Sequence, residues 1–139
     1  MRADAVAEHA RPAIEHVIDA AIAALCAEAV GTMQVMHDTT LDYLKTRKQF
    51  GRAIGSFQVL QHRSVDMLVA LEGARSMAMF AAVMASEENP IERRNSISAS
   101  KVQIGRSGKH VGQDAIQLPG GSGRQQEDSV GKPSTGMTM

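Results

Sequence analysis

The sequence predicts an all-α fold, an antiparallel bundle of three long helices followed by a flexible tail. Two observations carry that prediction. Apolar residues recur at spacings of three and four along three separate stretches, which is the period of a helix with one buried face. The composition agrees: with nine Met, three Phe, one Tyr and no Trp, the chain lacks the aromatic residues that strands favour. Its 139 residues suit one modest core, divided here into a helical domain over 1–118 and a Gly/Ser/Pro-rich tail over 119–139.

The first stripe runs through Ile22, Leu25, Cys26, Ala29, Met33, Met36, Thr40 and Leu44, with Glu28, Gln34, Asp38, Asp42 and Lys45 off it. Residues 1–11 carry no clean period, so Pro12 is placed in the first turn, where its missing N–H costs nothing. Gly31 is expected to let a neighbouring helix come close. A second stripe, Leu60, Ser64, Met67, Leu68, Leu71, Ala74, Ala78 and Ala81, predicts a helix from about Phe57 to Ser86. Glu87, Glu88, Asn89 and Pro90 stop it, because proline cannot continue a helix. The third stripe is Ile97, Ile104, Gly108, Val111, Ala115 and Leu118. Gly105, Gly108 and Gly112 on or beside it each weaken a helix by about 1 kcal/mol, which predicts tight backbone contact there, with a partner helix or with a ligand. From Pro119 onward no core-forming period remains, and most of the tail is expected to be disordered.

Between the first two helices lies TRKQFGRAIGSFQVLQHR, residues 46–63. Gly51 and Gly55 break the helical period, and Arg47, Lys48 and Arg52 surround Phe50 and Phe57. Glycine lets a backbone turn and approach a ligand closely, and guanidinium groups grip phosphate with paired hydrogen bonds. A helix opening near Ser56 would add outward N–H groups. From the residues alone the loop is either a receiver of anions or an ordinary helix-helix corner with basic decoration.

The formal net charge of +0 excludes a bulk field drawing in nucleic acid or an anionic membrane. The N-terminal stretch has scattered charges, no signal-peptide core and no membrane span. One cysteine, Cys26 within an apolar run, reads as a core residue and fits a reducing, cytoplasmic setting. The five histidines make no metal spacing with Cys or carboxylates. Arg93, Arg94, Lys101, Arg106 and Lys109 read as a solvated face.

The runs YLKTRKQFGRAIGSFQVLQHRSVDM and SASKVQIGRSGKHVGQDAIQL, with the GGSG that follows, closely resemble the C-terminal helical domain of the flavin-dependent acyl-CoA dehydrogenases, over about Ala20 to Gly123. The resemblance implies FAD held between subunits. The arginine on the cofactor pyrophosphate falls on Arg47, the adjoining loop contacts fall on Gln49, Phe50 and Ile54, and the positions near the adenine fall on Phe57 and Gln58. The later Gln and Gly-Gly fall on Gln117, Gly120 and Gly121.

The same resemblance implies that no catalytic residue is present. The family's glutamate base, which removes the α-proton of an acyl-CoA thioester while hydride passes to the flavin, belongs beyond Met139. Its alternative position falls on Ala21. Asp19 falls near the position of the thioester tail, but its usual companion arginine falls on Ile22. The expectation is a chain that contributes to an FAD site in trans, as a homo-oligomer (dimer or tetramer) or with a complementary dehydrogenase subunit, and that is not active alone. The alternative is a flavin-free helical oligomerisation or protein-interaction module. Either leaves exposed apolar surface where a three-helix remnant of a four-helix bundle lacks cover.

Overall fold

The computed structural model describes residues 3–49 and 51–118, with side chains from residue 10 onward. Three helices form: α1 over Ala3–Thr46, α2 over Gln58–Met84 and α3 over Pro90–Gln117. Each packs on the other two, as the all-α prediction requires. The expectation of a disordered tail from 119 lies outside the described residues.

The buried side of α1 is Asp19, Ala23, Cys26, Val30, Met33, His37, Thr40 and Leu44. Two residues assigned to this stripe from sequence are wrong: Leu25 is 59% and Met36 38% exposed, while Val30 and the polar His37 take the inner positions. On α2 the core face is Met67, Leu71, Ala74, Ala78 and Ala81, and Leu68 turns outward. The α3 face repeats without a break at intervals of four and three: Arg93, Ile97, Ser100, Ile104, Ser107, Val111, Asp114 and Leu118. Four of these eight are polar. Small side chains on α2 let the core close around Met67, Leu71, Ile97 and Val111, all fully buried.

α1 starts earlier than expected. Pro12 lies inside the helix rather than in its first turn. Residues 10–14 are all exposed, so water can bond the backbone group that the proline leaves without a partner. At about 1.5 Å per residue α1 is about 66 Å long against about 40 Å for α2, so its first turns extend past the bundle.

The turn before α3 behaves as read. Asn89 caps the helix, its side-chain oxygen accepting from the amides of Ile91 and Glu92, and Pro90 occupies the first turn. α2 is long and apolar enough to cross a membrane by length and composition, with a mean hydropathy of 1.5 over its most apolar window. In the structure one side of it is core, and only 28% of that window is buried.

Candidate functional site at one end of the bundle

Residue 47 follows the end of α1, α2 starts at 58 and α3 ends at 117, so the antiparallel arrangement gathers all three segments at one end of the molecule. The connection is more ordered than a plain corner. Lys48–Gln49 (β1) and Arg52–Ala53 (β2) pair antiparallel, with Lys48 opposite Ala53 and Gln49 opposite Arg52. Gly51 takes the turn at φ +79°, a conformation that disfavours any side chain.

A 3-10 turn over Ile54–Ser56 then leads into α2. The Ile54 amide donates to the Arg47 carbonyl at 2.9 Å, closing the loop on itself. Gly55 is where the loop meets α1: a Cβ built there would stand 2.9 Å from the Leu44 carbonyl oxygen. Its own carbonyl accepts from the Gln61 side chain at 3.0 Å.

The helix opening differs from the expectation. Phe57, not Ser56, precedes the first turn of α2, and it makes no side-chain cap. The Ser56 hydroxyl instead donates back to the Ala53 carbonyl at 2.7 Å, because the 3-10 turn points it toward the hairpin.

The nine residues singled out from sequence divide three ways. Arg47, Gln49 and Gln58 are exposed, and Phe57 is half-buried, with the Arg52 guanidinium 4.2 Å above its ring. Arg47 lies 5.7 Å from the Tyr43 ring centroid. The Ile54 side chain is buried, so it anchors the turn. Gln117 closes the same end from α3, its side-chain oxygen accepting from Arg63 Nη2 at 2.7 Å. Phe50, Gly120 and Gly121 lie outside the described residues.

Sequence reasoning assigned no role to Arg63. It pairs with the buried Asp114 as well as with Gln117, and so fixes the end of α3 against the start of α2. Asp114 also faces His110 at 3.7 Å. The available signal was an Asp on the inner stripe of α3, a position that needs a cationic partner.

Charge is uneven at this end. Arg47, Lys48 and Arg52 enter no ion pair among the described residues, and neither do Lys45, Lys101, Arg106 and Lys109, but the first three are gathered on one short loop. Three cations without ion-pair partners on one short loop, beside an aromatic ring, suit a multiply charged anion that carries a flat group. None of the nine residues lines the 570 Å³ groove between α2 and α3, which is formed by Asp66, Val69, Ala70, Gly73, Gln103, Arg106, Ser107 and His110. Among the described residues no group of three His, Cys, Asp or Glu is placed to hold a metal ion.

Within the chain, the tight helix contacts expected at helical glycines are not found among the described residues. A Cβ at Gly31, Gly105 or Gly112 would meet nothing within 4 Å, and one at Gly108 would meet only the Met33 sulfur, at 3.8 Å. Arg93 is likewise no part of a solvated face. It is 5% exposed and bonded to Asp19 at 3.0 Å, so Asp19 finds its arginine on α3 instead of on its own helix.

Comparison with known proteins gives a consistent result. Residues 12–133 match the family described as acyl-CoA dehydrogenase, C-terminal domain. The chain is 33% identical over 115 residues to a probable acyl-CoA dehydrogenase, YngJ, of Bacillus subtilis, covering 83% of this chain and 30% of that protein. It is 39% identical over 103 residues to the L-prolyl-[peptidyl-carrier protein] dehydrogenase of a Serratia species, covering 74% and 26%. Among solved structures it superposes on PigA with FAD and proline at a TM-score of 0.65 and 35% identity, over 79% of this chain and 28% of that one. The chain thus spans less than a third of the length of these relatives.

Proposed function

Since this chain belongs to the acyl-CoA dehydrogenase family, matching its C-terminal helical domain, we propose that the 47–58 hairpin and turn form one wall of an FAD site that another subunit or domain completes. The observation that carries the reading is the set of three unpaired cations, Arg47, Lys48 and Arg52, on a hairpin held by the Gly51 turn and the Gly55–Leu44 contact. Arg47 supplies a permanent charge for the diphosphate, and Gln49 and Gln58 offer both donors and acceptors to ribose or adenine. Phe57, under the Arg52 guanidinium, offers an aromatic face. Gln117 closes the wall from α3, oriented by Arg63.

FAD bound in such a site supplies the hydride acceptor for α,β-dehydrogenation of an acyl-CoA thioester. This chain binds and orients; no carboxylate of its own is assigned as the base. Catalysis therefore requires the completing polypeptide, which is a second copy or a complementary dehydrogenase subunit.

Titration of the purified chain with FAD, followed by flavin fluorescence, tests the proposal, with Arg47→Ala alongside. A hydrogen bond to a charged group is worth about 1.5–3 kcal/mol, so the substitution should weaken binding roughly tenfold to a hundredfold. Equal affinity for both proteins, or no saturation at high micromolar FAD, would count against it. The second reading, a flavin-free oligomerisation module, is favoured by one observation: Val65, Val69 and Val83 on α2 are each more than half exposed. Self-association without FAD binding would support that reading instead.

A further inference from the structure

Where α2 meets the end of α3, three side chains converge on one guanidinium nitrogen. Arg63, in the second turn of α2, donates from Nη2 to Oδ1 of Asp114 and to Oε1 of Gln117, the latter at 2.7 Å. Asp114 and Gln117 stand three residues apart on α3, so both reach α2 from one face of that helix. Nη2 carries two hydrogens, enough for both acceptors at once.

This contact decides which end of the Gln117 amide is left for a ligand. A guanidinium only donates, so the atom turned toward Arg63 is the amide oxygen, and the NH2 group is what remains. Gln117 is exposed, and its Nε2 has no acceptor among the described residues. A free glutamine side chain offers a donor or an acceptor by turning over. Gln117 offers donors, and its orientation is set before anything binds, which lowers the entropy lost on binding.

Asp114 keeps Arg63 in this position. The Asp114 side chain is 7% exposed, and a buried carboxylate requires a partner that donates to it. His110 Nε2 stands 3.7 Å from Oδ2, too far for a hydrogen bond, so Arg63 is the close partner. The charge of Arg63 is matched by that of Asp114, and what it adds to this end of the bundle is geometry. The side chains of Arg47, Lys48 and Arg52 likewise only donate, so the hairpin and α3 present one polarity, suited to a ligand rich in acceptor oxygens.

We infer that Arg63, anchored by Asp114, is a positioning residue that makes Gln117 a hydrogen-bond donor to the phosphate or ribose oxygens of the bound ligand. The inference rests on the flavin reading and deepens it, since neither Arg63 nor Asp114 itself touches the ligand.

Two readouts on the full chain test it, one with FAD and one without. In FAD titrations Arg63→Met and Gln117→Ala should each weaken binding about tenfold, and Arg63→Met added to Gln117→Ala should weaken it no further. Arg63→Lys, whose ammonium still donates to both partners, should recover most of the affinity. Without FAD, NMR relaxation of the side-chain amides should find Gln117 Nε2 ordered, that of the exposed Gln113 mobile, and Gln117 mobile in Arg63→Met. Because Arg63→Met leaves a buried carboxylate without its partner, Asp114→Asn is combined with it if circular dichroism shows lost helix. Additive losses in the double variant would overturn the inference. So would a Gln117 amide equally mobile in wild type and Arg63→Met. A wild-type chain that takes up no FAD would overturn the flavin reading and the ligand named here, whereas an ordered Gln117 amide would still uphold the positioning by Arg63.

Discussion

Arg93 is 5% exposed, and its guanidinium donates to Asp19 Oδ2 at 3.0 Å and to the Glu87 carbonyl at 2.8 Å. One side chain thereby ties α1, the turn after α2, and α3. A buried pair of this kind contributes little over an apolar replacement, yet breaking it from one side strands a charge. Asp19→Ala should therefore destabilise the chain by about 3–5 kcal/mol, and the double variant Asp19→Leu, Arg93→Met should recover most of that. Urea denaturation of the three proteins measures it, and equal losses in single and double variants would show that the pair itself is the stabilising element. The pair was not legible from sequence, because an apolar stripe is read by looking for apolar residues. Arg93, Ser100, Ser107, Asp114 and His37 all occupy inner positions at the right spacing and were passed over. Asp19 was noticed only through resemblance, which offered Ile22 as the site of its partner.

Glycine illustrates the same limit one level up, at the scale of elements. Seven glycines fall in described segments, but only Gly51, at φ +79°, and Gly55, against the Leu44 backbone, occupy places that a side chain cannot readily take. Both lie in the loop between α1 and α2. Gly55→Ala must displace a carbonyl of α1 and should cost about 1–3 kcal/mol. Gly51→Ala should cost about 1 kcal/mol for the strained φ. Gly105→Ala, by contrast, should stabilise by about 0.5–1 kcal/mol, since its Cβ meets nothing within 4 Å. Thermal midpoints order the three variants, and a destabilised Gly105→Ala would show that something covers that face of α3 in solution. The helices themselves were legible because period and breaker agree: the second stripe stops at the turn over 87–90, where Asn89 and Pro90 then open α3. The hairpin was not, since two-residue strands are too short to show a period.

At the scale of the whole molecule, the loop singled out from sequence is a chain reversal in the structure, and Arg47, Lys48 and Arg52 on it are exposed. What gathers the pieces is topology, and a linear reading cannot supply the Arg63–Gln117 contact across 54 residues. The opposite end of the bundle is also held by charge. Arg94 Nη2 reaches Glu15 Oε2 at 2.8 Å, beside the Asp19–Arg93 pair, so α1 and α3 are linked there twice. The hydrogen bond from Arg94, then that from Arg11, holds the Glu15 carboxyl below its ordinary value. A carboxylate whose folded-state value is depressed adds stability that is present above its unfolded value, about pH 4.3, and is lost as pH falls through the folded one. Glu15→Gln should therefore lower the thermal midpoint at pH 7 by a small amount, as expected for an exposed pair, and the gap from wild type should close below about pH 4. The Asp19→Ala gap measured in the same series provides a larger reference. If the Glu15→Gln deficit were as large at pH 3 as at pH 7, the link between α1 and α3 at this end would rest on packing of the Glu15 stem and not on its charge.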